Sequence, residues 1–248
     1  MHHELPNLAL DKSALFFDFD GTLVDLKPTP DEVVVSEELQ SIINALDDKT
    51  SHAIALISGR NIESLDKHLQ LPNIKMSGSH GMEYRLDSNL PITLHPDVIH
   101  LPDDLINQCE SFCEIYGLLL ERKPLSLAIH YRSQPTLEPN VIDFLTTLLK
   151  QFSQLDLKIQ SGKCIREIKP SHISKATALD LFANTNDFKN RTIWYFGDDV
   201  TDEDAFEWVN AQGGVSVKIG EGESKALYRL PSPNDLKQFL LAHLVKEE

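Results

Sequence analysis

Two rhythms of apolar residues alternate along this chain. Short unbroken apolar runs at 14–17, 52–57 and 191–196 read as strands buried on both faces. Between them, 36–46 places Leu39, Ile42, Ile43 and Leu46 at helical spacing, so one stripe of a helix faces a core. The same reasoning predicts helices over 61–69, 171–183, 201–209 and 235–245, and short strands over 74–76 and 215–219. Strands alternating with helices predict a parallel sheet covered on both faces, an α/β core. Pro28 and Pro30 mark a loop after the first strand.

The middle of the chain keeps a different rhythm. Helical spacing returns at 103–116 and at 139–152, where Val141, Leu145, Leu148 and Leu149 form a stripe. The stretch 121–132 alternates as one antiparallel strand would, and 157–160 and 163–169 add two more. Two helices and short strands form a small α+β unit inserted into the core. The expected division is 1–95 for the first part of the core, 96–167 for the insert and 168–248 for the rest of the core.

Composition narrows the partners. Of 248 residues, 41% are apolar and 25% charged, the proportions of a globular domain large enough to bury a core. A formal net charge of −15 argues against nucleic acid. It also opposes any anionic ligand, so such a ligand needs local cations. No apolar run is long enough to cross a bilayer, and no secretory signal precedes the first strand. The three cysteines, Cys109, Cys113 and Cys164, have no disulfide framework, so a reducing cytoplasm is expected. Cys109 and Cys113 lie one helical turn apart, but no second pair has zinc-site spacing, and both read as half-buried thiols. A monomer is expected.

The chemistry gathers at strand ends. The first strand runs into Asp18-Phe19-Asp20-Gly21-Thr22. Residues two apart on a strand share a face, so Asp18 and Asp20 are expected to point together, with Phe19 packed on the other side. Asp18 is the candidate nucleophile of a magnesium-dependent phosphoryl transfer, and Asp20 the general acid and base beside it. The Asp20 main-chain carbonyl is a further candidate metal contact. Ser58 and the Gly59 amide, at the end of the second buried strand, either bond phosphate oxygens or form a turn or helix cap, which Ser-Gly-Arg by itself favours. Arg60 is either a phosphate ligand or a surface arginine. Lys175 opens a helix, where the dipole disfavours a cation, which makes sense if lysine and helix serve one phosphate; a solvated lysine is the alternative. Asp198 ends the third buried strand as a direct magnesium ligand. Asp199 and Asp202 would hold metal-bound waters or orient Lys175. Thr201 with Asp204 fits a looser capping box, and Glu203 and Asp204 are given mainly that structural role.

In this order, Asp18, Asp20, Ser58, Lys175 and Asp198 resemble the motifs of the haloacid dehalogenase superfamily. That resemblance implies a Rossmann-like core with an inserted cap, and assigns catalytic roles to Asp18, Asp20, Ser58 and Lys175 and metal binding to Asp18, Asp20 and Asp198. The segments 78–83, 121–132, 162–170 and 197–204 are similar to those of the trehalose-6-phosphate phosphatase family, across residues 15–227. This further resemblance implies hydrolysis of trehalose 6-phosphate through a phosphorylated Asp18. It also implies that Glu121, Lys123 and Glu167 bind sugar hydroxyls from the cap. His80, Glu83, His130 and Arg132 are cap–core or substrate contacts on the same basis, and Asp18, Phe19, Asp20, Gly59 and Arg60 line the phosphate. Another sugar phosphate such as sucrose phosphate, or a non-catalytic sugar-phosphate-binding module, is the alternative.

Overall fold

The computed structural model describes residues 4–245 apart from Pro28, Gln70, Pro72 and Asn73. Pro28, expected in the loop after the first strand, lies outside the described residues. In chain order the elements are β1 (Ser13–Phe17), α1 (Glu37–Lys49), β2 (Ile54–Ile57), α2 (Ile62–His68), β3 (Lys75–Gly78), β4 (Glu83–Arg85) and β5 (Thr93–Leu94). Then come α3 (Asp103–Tyr116), β6 (Leu119–Arg122), β7 (Leu127–His130), α4 (Glu138–Gln151), β8 (Leu157–Gly162) and β9 (Ile165–Pro170). The chain closes with α5 (Lys175–Ala183), β10 (Thr192–Gly197), α6 (Glu203–Ala211), β11 (Val215–Ile219), β12 (Tyr228–Leu230) and α7 (Pro233–Val245).

The chain forms two compact units, Met1–His95 with Ser174–Glu248, and Pro96–Ile173. The second boundary falls after Ile173, not after Glu167, because β9 stays in register with β8 as far as Pro170.

The larger unit is built on an eight-stranded sheet in the order β12-β11-β10-β1-β2-β3-β4-β5. The strands from β12 to β3 pair in parallel, and β4 and β5 add an antiparallel edge. Side-chain alternation sorts β1 between two cores. Leu15 and Phe17 pack among residues of α1, α2 and α7, while Ala14 and Phe16 pack among residues of α5 and α6. Ser36 caps α1 by accepting from the Leu39 amide at 3.2 Å, Asn61 caps α2 through Ser64 at 2.7 Å, and Ser174 caps α5 through Ala176 at 3.2 Å. The helix predicted to begin at 171 therefore begins at Lys175. The Thr201–Asp204 capping box does not form: α6 starts at Glu203, after a 3-10 turn over Val200–Asp202. Glu203 instead accepts from the Ser224 hydroxyl at 2.8 Å and the Lys225 amide at 2.7 Å, tying down the loop after β11.

The smaller unit is a four-stranded antiparallel sheet, β6-β7-β9-β8, with α3 and α4 sharing its core. The stretch read as one strand over 121–132 is a hairpin. Arg122 pairs with Leu127, and the Lys123 amide donates to the Ser126 carbonyl at 3.0 Å. Pro124, beside Leu125, interrupts the alternation and marks the turn that the reading as one strand passes over. Cys109 and Cys113 are buried in this core rather than half-buried, and burial pushes their thiols up to about 12 and about 11. Thiols so protonated are inert packing groups.

Candidate active site

The site assembles at the carboxyl edge of the parallel sheet, and strand register does the assembling. Phe17 pairs with Phe196, so the residues that follow β1 and β10 leave the sheet side by side. The Asp18 amide donates to the Phe196 carbonyl at 2.8 Å. Asp18 and Asp198, 180 positions apart in sequence, thereby become neighbours. Gly21 makes the closest approach possible: its φ is +79°, and a Cβ there would lie 2.0 Å from Asp198 Oδ2.

Lys175 is the electrostatic centre. It is 2% exposed, and its Nζ lies 2.8 Å from Asp18 Oδ1 and 2.6 Å from Asp202 Oδ1. Burial works to lower the ammonium's pKa, but the Asp18 and Asp202 carboxylates and their hydrogen bonds override it and hold the group above its ordinary value. Asp18 moves the other way from a free carboxylate. Burial raises its pKa well above the usual range, against the pull of Lys175, and the nearby Asp202 and Asp198 charges add to the rise. Burial, then Asp202, pushes Asp198 up to about 6.

Asp18, Asp198 and Asp202 each offer a carboxylate oxygen within 4.8 Å of the others, a spacing that suits a cation. Their remaining bonds separate their roles. Asp202 is fully buried and its oxygens are occupied: Oδ1 accepts from Lys175 and from the Tyr195 hydroxyl at 2.5 Å, and Oδ2 accepts from the amides of Asp198 at 3.0 Å and Asp199 at 2.9 Å. It holds Lys175 and the β10 turn. Asp198 Oδ1, in contrast, is buried with no hydrogen-bond partner among the described residues. A buried carboxylate oxygen in that condition is costly unless something positive completes it. An oxygen-preferring divalent cation held by Asp18 and Asp198 fits this donor set. The side chain of Asp199 is exposed at the turn.

Asp18 and Asp20 do not share partners. The strand ends at Phe17, so strict alternation lapses before Asp18. Asp20 is held by Arg60, with Nε 2.6 Å from Oδ2 and Nη2 2.7 Å from Oδ1. Arg60 thus meets a carboxylate rather than lying free on the surface. Phe19 is fully buried, and its ring lies 5.3 Å below the guanidinium. The Ser58 hydroxyl is buried and accepts from the Arg60 amide at 3.1 Å. His80 adopts a left-handed conformation with φ 58°, and its imidazole lies against Gly59, where a Cβ would come within 2.6 Å of the ring. Glu83 is buried, and its Oε1 accepts from the Ile62 amide at 2.6 Å at the start of α2.

In the smaller unit, register gathers the expected sugar-binding residues. Glu121 pairs with Ala128, which pairs with Glu167, so both glutamates lie on one face of the sheet. Leu127, Ile129 and Ile168 alternate with them and belong to the core on the other face. Glu167 Oε1 accepts from Lys123 Nζ at 3.1 Å and from the Ser126 hydroxyl at 2.5 Å. His130 Nε2 lies 2.8 Å from Glu121 Oε2. Arg132 is exposed past the end of β7.

Two supporting residues escaped sequence reasoning. The Tyr195 hydroxyl bonds Asp202, and Lys218 Nζ donates to the Asp198 carbonyl. Both carried a signal: a tyrosine or lysine inside a buried strand requires a polar partner.

The trehalose-phosphatase family profile matches residues 16–234. Trehalose-6-phosphate phosphatase from Escherichia coli K12 is 38% identical over 244 residues, covering 96% of this chain and 88% of that protein. The C-terminal domain of Candida albicans trehalose-6-phosphate phosphatase superposes with a TM-score of 0.78 at 21% identity, over 95% of this chain and 92% of that one. A phosphatase of the haloalkanoate enzyme superfamily from Bacteroides thetaiotaomicron superposes at 0.67 with 16% identity, over 98% of each chain. With the family profile matching residues 16–234 and nearly the whole sequence aligned to a relative 38% identical, this chain belongs to the trehalose-phosphatase family.

Proposed function

We propose that this protein hydrolyses trehalose 6-phosphate to trehalose and inorganic phosphate by way of a phosphorylated Asp18. The observation that carries the reading is a buried Asp18 carboxylate held by Lys175 beside an Asp198 oxygen with no hydrogen-bond partner among the described residues, in a chain aligned with the family over 16–234. Asp18 attacks phosphorus while the bond to the sugar oxygen breaks, and Asp20 gives that oxygen its proton. Asp20 then takes a proton from the water that cleaves the acyl phosphate and regenerates Asp18. Lys175 keeps Asp18 aimed and offsets phosphate charge, and the Ser58 hydroxyl and Gly59 amide bond phosphate oxygens. A magnesium ion held by Asp18 and Asp198, with the Asp20 carbonyl, would supply neutralisation between an anionic nucleophile and an anionic ester. Glu121, Lys123 and Glu167 bind sugar hydroxyls through charge-assisted hydrogen bonds.

A panel of sugar phosphates, assayed for released phosphate with and without magnesium, tests the reading. Trehalose 6-phosphate is expected to exceed sucrose phosphate and glucose 6-phosphate by roughly a hundredfold in kcat/KM, the order available from one or two charged hydrogen bonds. Chelation is expected to stop turnover. Preference for another ester, or turnover indifferent to chelation, overturns it.

Metal affinity carries a pH signature. Asp198 is raised to about 6, so below that pH its carboxyl binds a proton that a cation must displace. Magnesium affinity measured by calorimetry is therefore expected to weaken as pH falls through 6 and to level off above 7. Equal affinities at pH 5 and pH 7.5 contradict the assignment of Asp198.

Lys123→Ala separates sugar recognition from chemistry. It is expected to cut kcat/KM for trehalose 6-phosphate by roughly tenfold to a hundredfold, the value of a charged hydrogen bond or two. Hydrolysis of p-nitrophenyl phosphate, which has no sugar, is expected to change little. Equal losses on both substrates remove Lys123 from sugar binding.

A further inference from the structure

The reaction scheme leaves open the job of Arg60, at the sheet edge of the core unit. A phosphate ligand should present its guanidinium to the substrate. This guanidinium instead makes two near-parallel bonds to a single carboxylate, Nε to Asp20 Oδ2 at 2.6 Å and Nη2 to Asp20 Oδ1 at 2.7 Å. It rests over the ring of the fully buried Phe19, and its side chain is 9% exposed against 30% for Asp20. Its backbone is held as well: the amide donates to Ser58 Oγ at 3.1 Å and the carbonyl accepts from the Ser79 amide at 2.7 Å. Close packing leaves that carbonyl little room, since a Cβ on Gly78 would lie 2.9 Å from it. The arginine is the fixed member of the pair, and the aspartate is the member that faces solvent.

From this geometry we infer that Arg60 is the positioning residue of Asp20, and reaches the reaction through that carboxylate rather than by binding phosphate. The inference rests on the reading of Asp20 as general acid and base. A carboxylate bonded through both oxygens cannot swing about its terminal torsion. Each oxygen retains a second lone pair, so proton exchange with the leaving oxygen or the attacking water remains open along a fixed direction. A proton donor held in line is worth more than the same group free to rotate. Arginine is required because a lysine ammonium makes no such fork.

The test compares Arg60→Gln, Arg60→Lys and Asp20→Asn, singly and as the Asp20→Asn/Arg60→Gln double variant. Trehalose 6-phosphate has a poor leaving group that needs a proton, whereas p-nitrophenyl phosphate has a good one that does not. Asp20→Asn itself must lower kcat for the sugar ester far more than for the aryl ester; failure there overturns the acid–base role of Asp20 and is separate from the inference about Arg60. Given that result, Arg60→Gln is expected to lower kcat for trehalose 6-phosphate by roughly ten- to a hundredfold, a part of what general acid catalysis supplies. KM and the inhibition constant of inorganic phosphate should stay within about twofold, since no phosphate contact is lost. Arg60→Lys should not restore kcat, and the double variant should be no slower than Asp20→Asn alone. Equal losses on both esters, weakened inhibition by phosphate, or additive losses in the double variant make Arg60 a phosphate ligand and overturn the inference.

Discussion

Asp18→Asn is expected to reduce turnover of trehalose 6-phosphate by at least about 10⁴-fold while leaving the protein folded, because removing a nucleophile removes the covalent route entirely. The amide is nearly isosteric with the acid and its oxygen still accepts from Lys175, so the buried packing around residue 18 survives. The charge balance also improves in the metal-free protein. Burial and the adjacent Asp202 and Asp198 raise the Asp18 pKa, so its ionised form is disfavoured in the fold. The stability a raised carboxyl contributes is fully present below its unfolded-state pKa and is lost as pH rises through the folded one. At neutral pH the ionised Asp18 is therefore a cost, and Asp18→Asn is expected to melt no lower than the wild type without metal. Phosphate release and thermal unfolding on the same preparation check both halves. A variant that retains wild-type rate ends Asp18's role, and one that fails to fold shows that its charge holds the core unit together.

Lys175→Met should have the largest effect on stability. Methionine fills the volume, but the ammonium is what allows Asp18 and Asp202 to be buried at 5% and 0% exposure. Removing one partner of a buried ion pair leaves a charge without compensation, a loss of about 3–5 kcal/mol. Two carboxylates are stranded here, and Asp202 also anchors the Asp198 and Asp199 amides, so the β10 turn is expected to loosen with it. Adding Asp18→Asn removes one stranded charge and should restore part of the lost stability, so the double variant is expected to be more stable than Lys175→Met alone. Urea unfolding of the three proteins measures this. A Lys175→Met protein as stable as the wild type would mean that the pair contributes nothing to the fold.

Buried hydrogen bonding of this kind explains the division of labour among the acids near Asp198. Five carboxylates crowd 198–204, and sequence alone treats them as a cluster. Hydrogen bonding separates them. Asp202 has its oxygens filled by four donors, Glu203 ties down a loop, and Asp198 alone holds an oxygen that is buried without a hydrogen-bond donor among the described residues. The acid with a buried oxygen lacking a donor is the one suited to a cation.

The core's strand–helix alternation, the inserted α+β unit and the segments bearing Asp18, Lys175 and Asp198 were legible in the sequence. Buried strands leave unbroken apolar runs, and charged residues at the ends of such runs stand out against them. The hairpin at 123–126 was missed although Pro124 signalled it, since a proline inside an apparent strand marks a break. The bond from the Ile62 amide to Glu83 was not legible either, because a glutamate bonded to a helix-start amide looks, in sequence, like any other.

Periodicity and residue type by themselves determined which elements form and which acids and cations flank the sheet, since burial of apolar faces is a local property of spacing. Tertiary structure decided who pairs with whom. The parallel register of β1 with β10 brings Asp18 to Asp198, the start of α5 delivers Lys175 between Asp18 and Asp202, and the turn after β2 gives Arg60 to Asp20 rather than to solvent. Such pairings depend on distances between segments far apart in the chain, and electrostatic energies fall so steeply with distance and solvent that only the folded arrangement sets them.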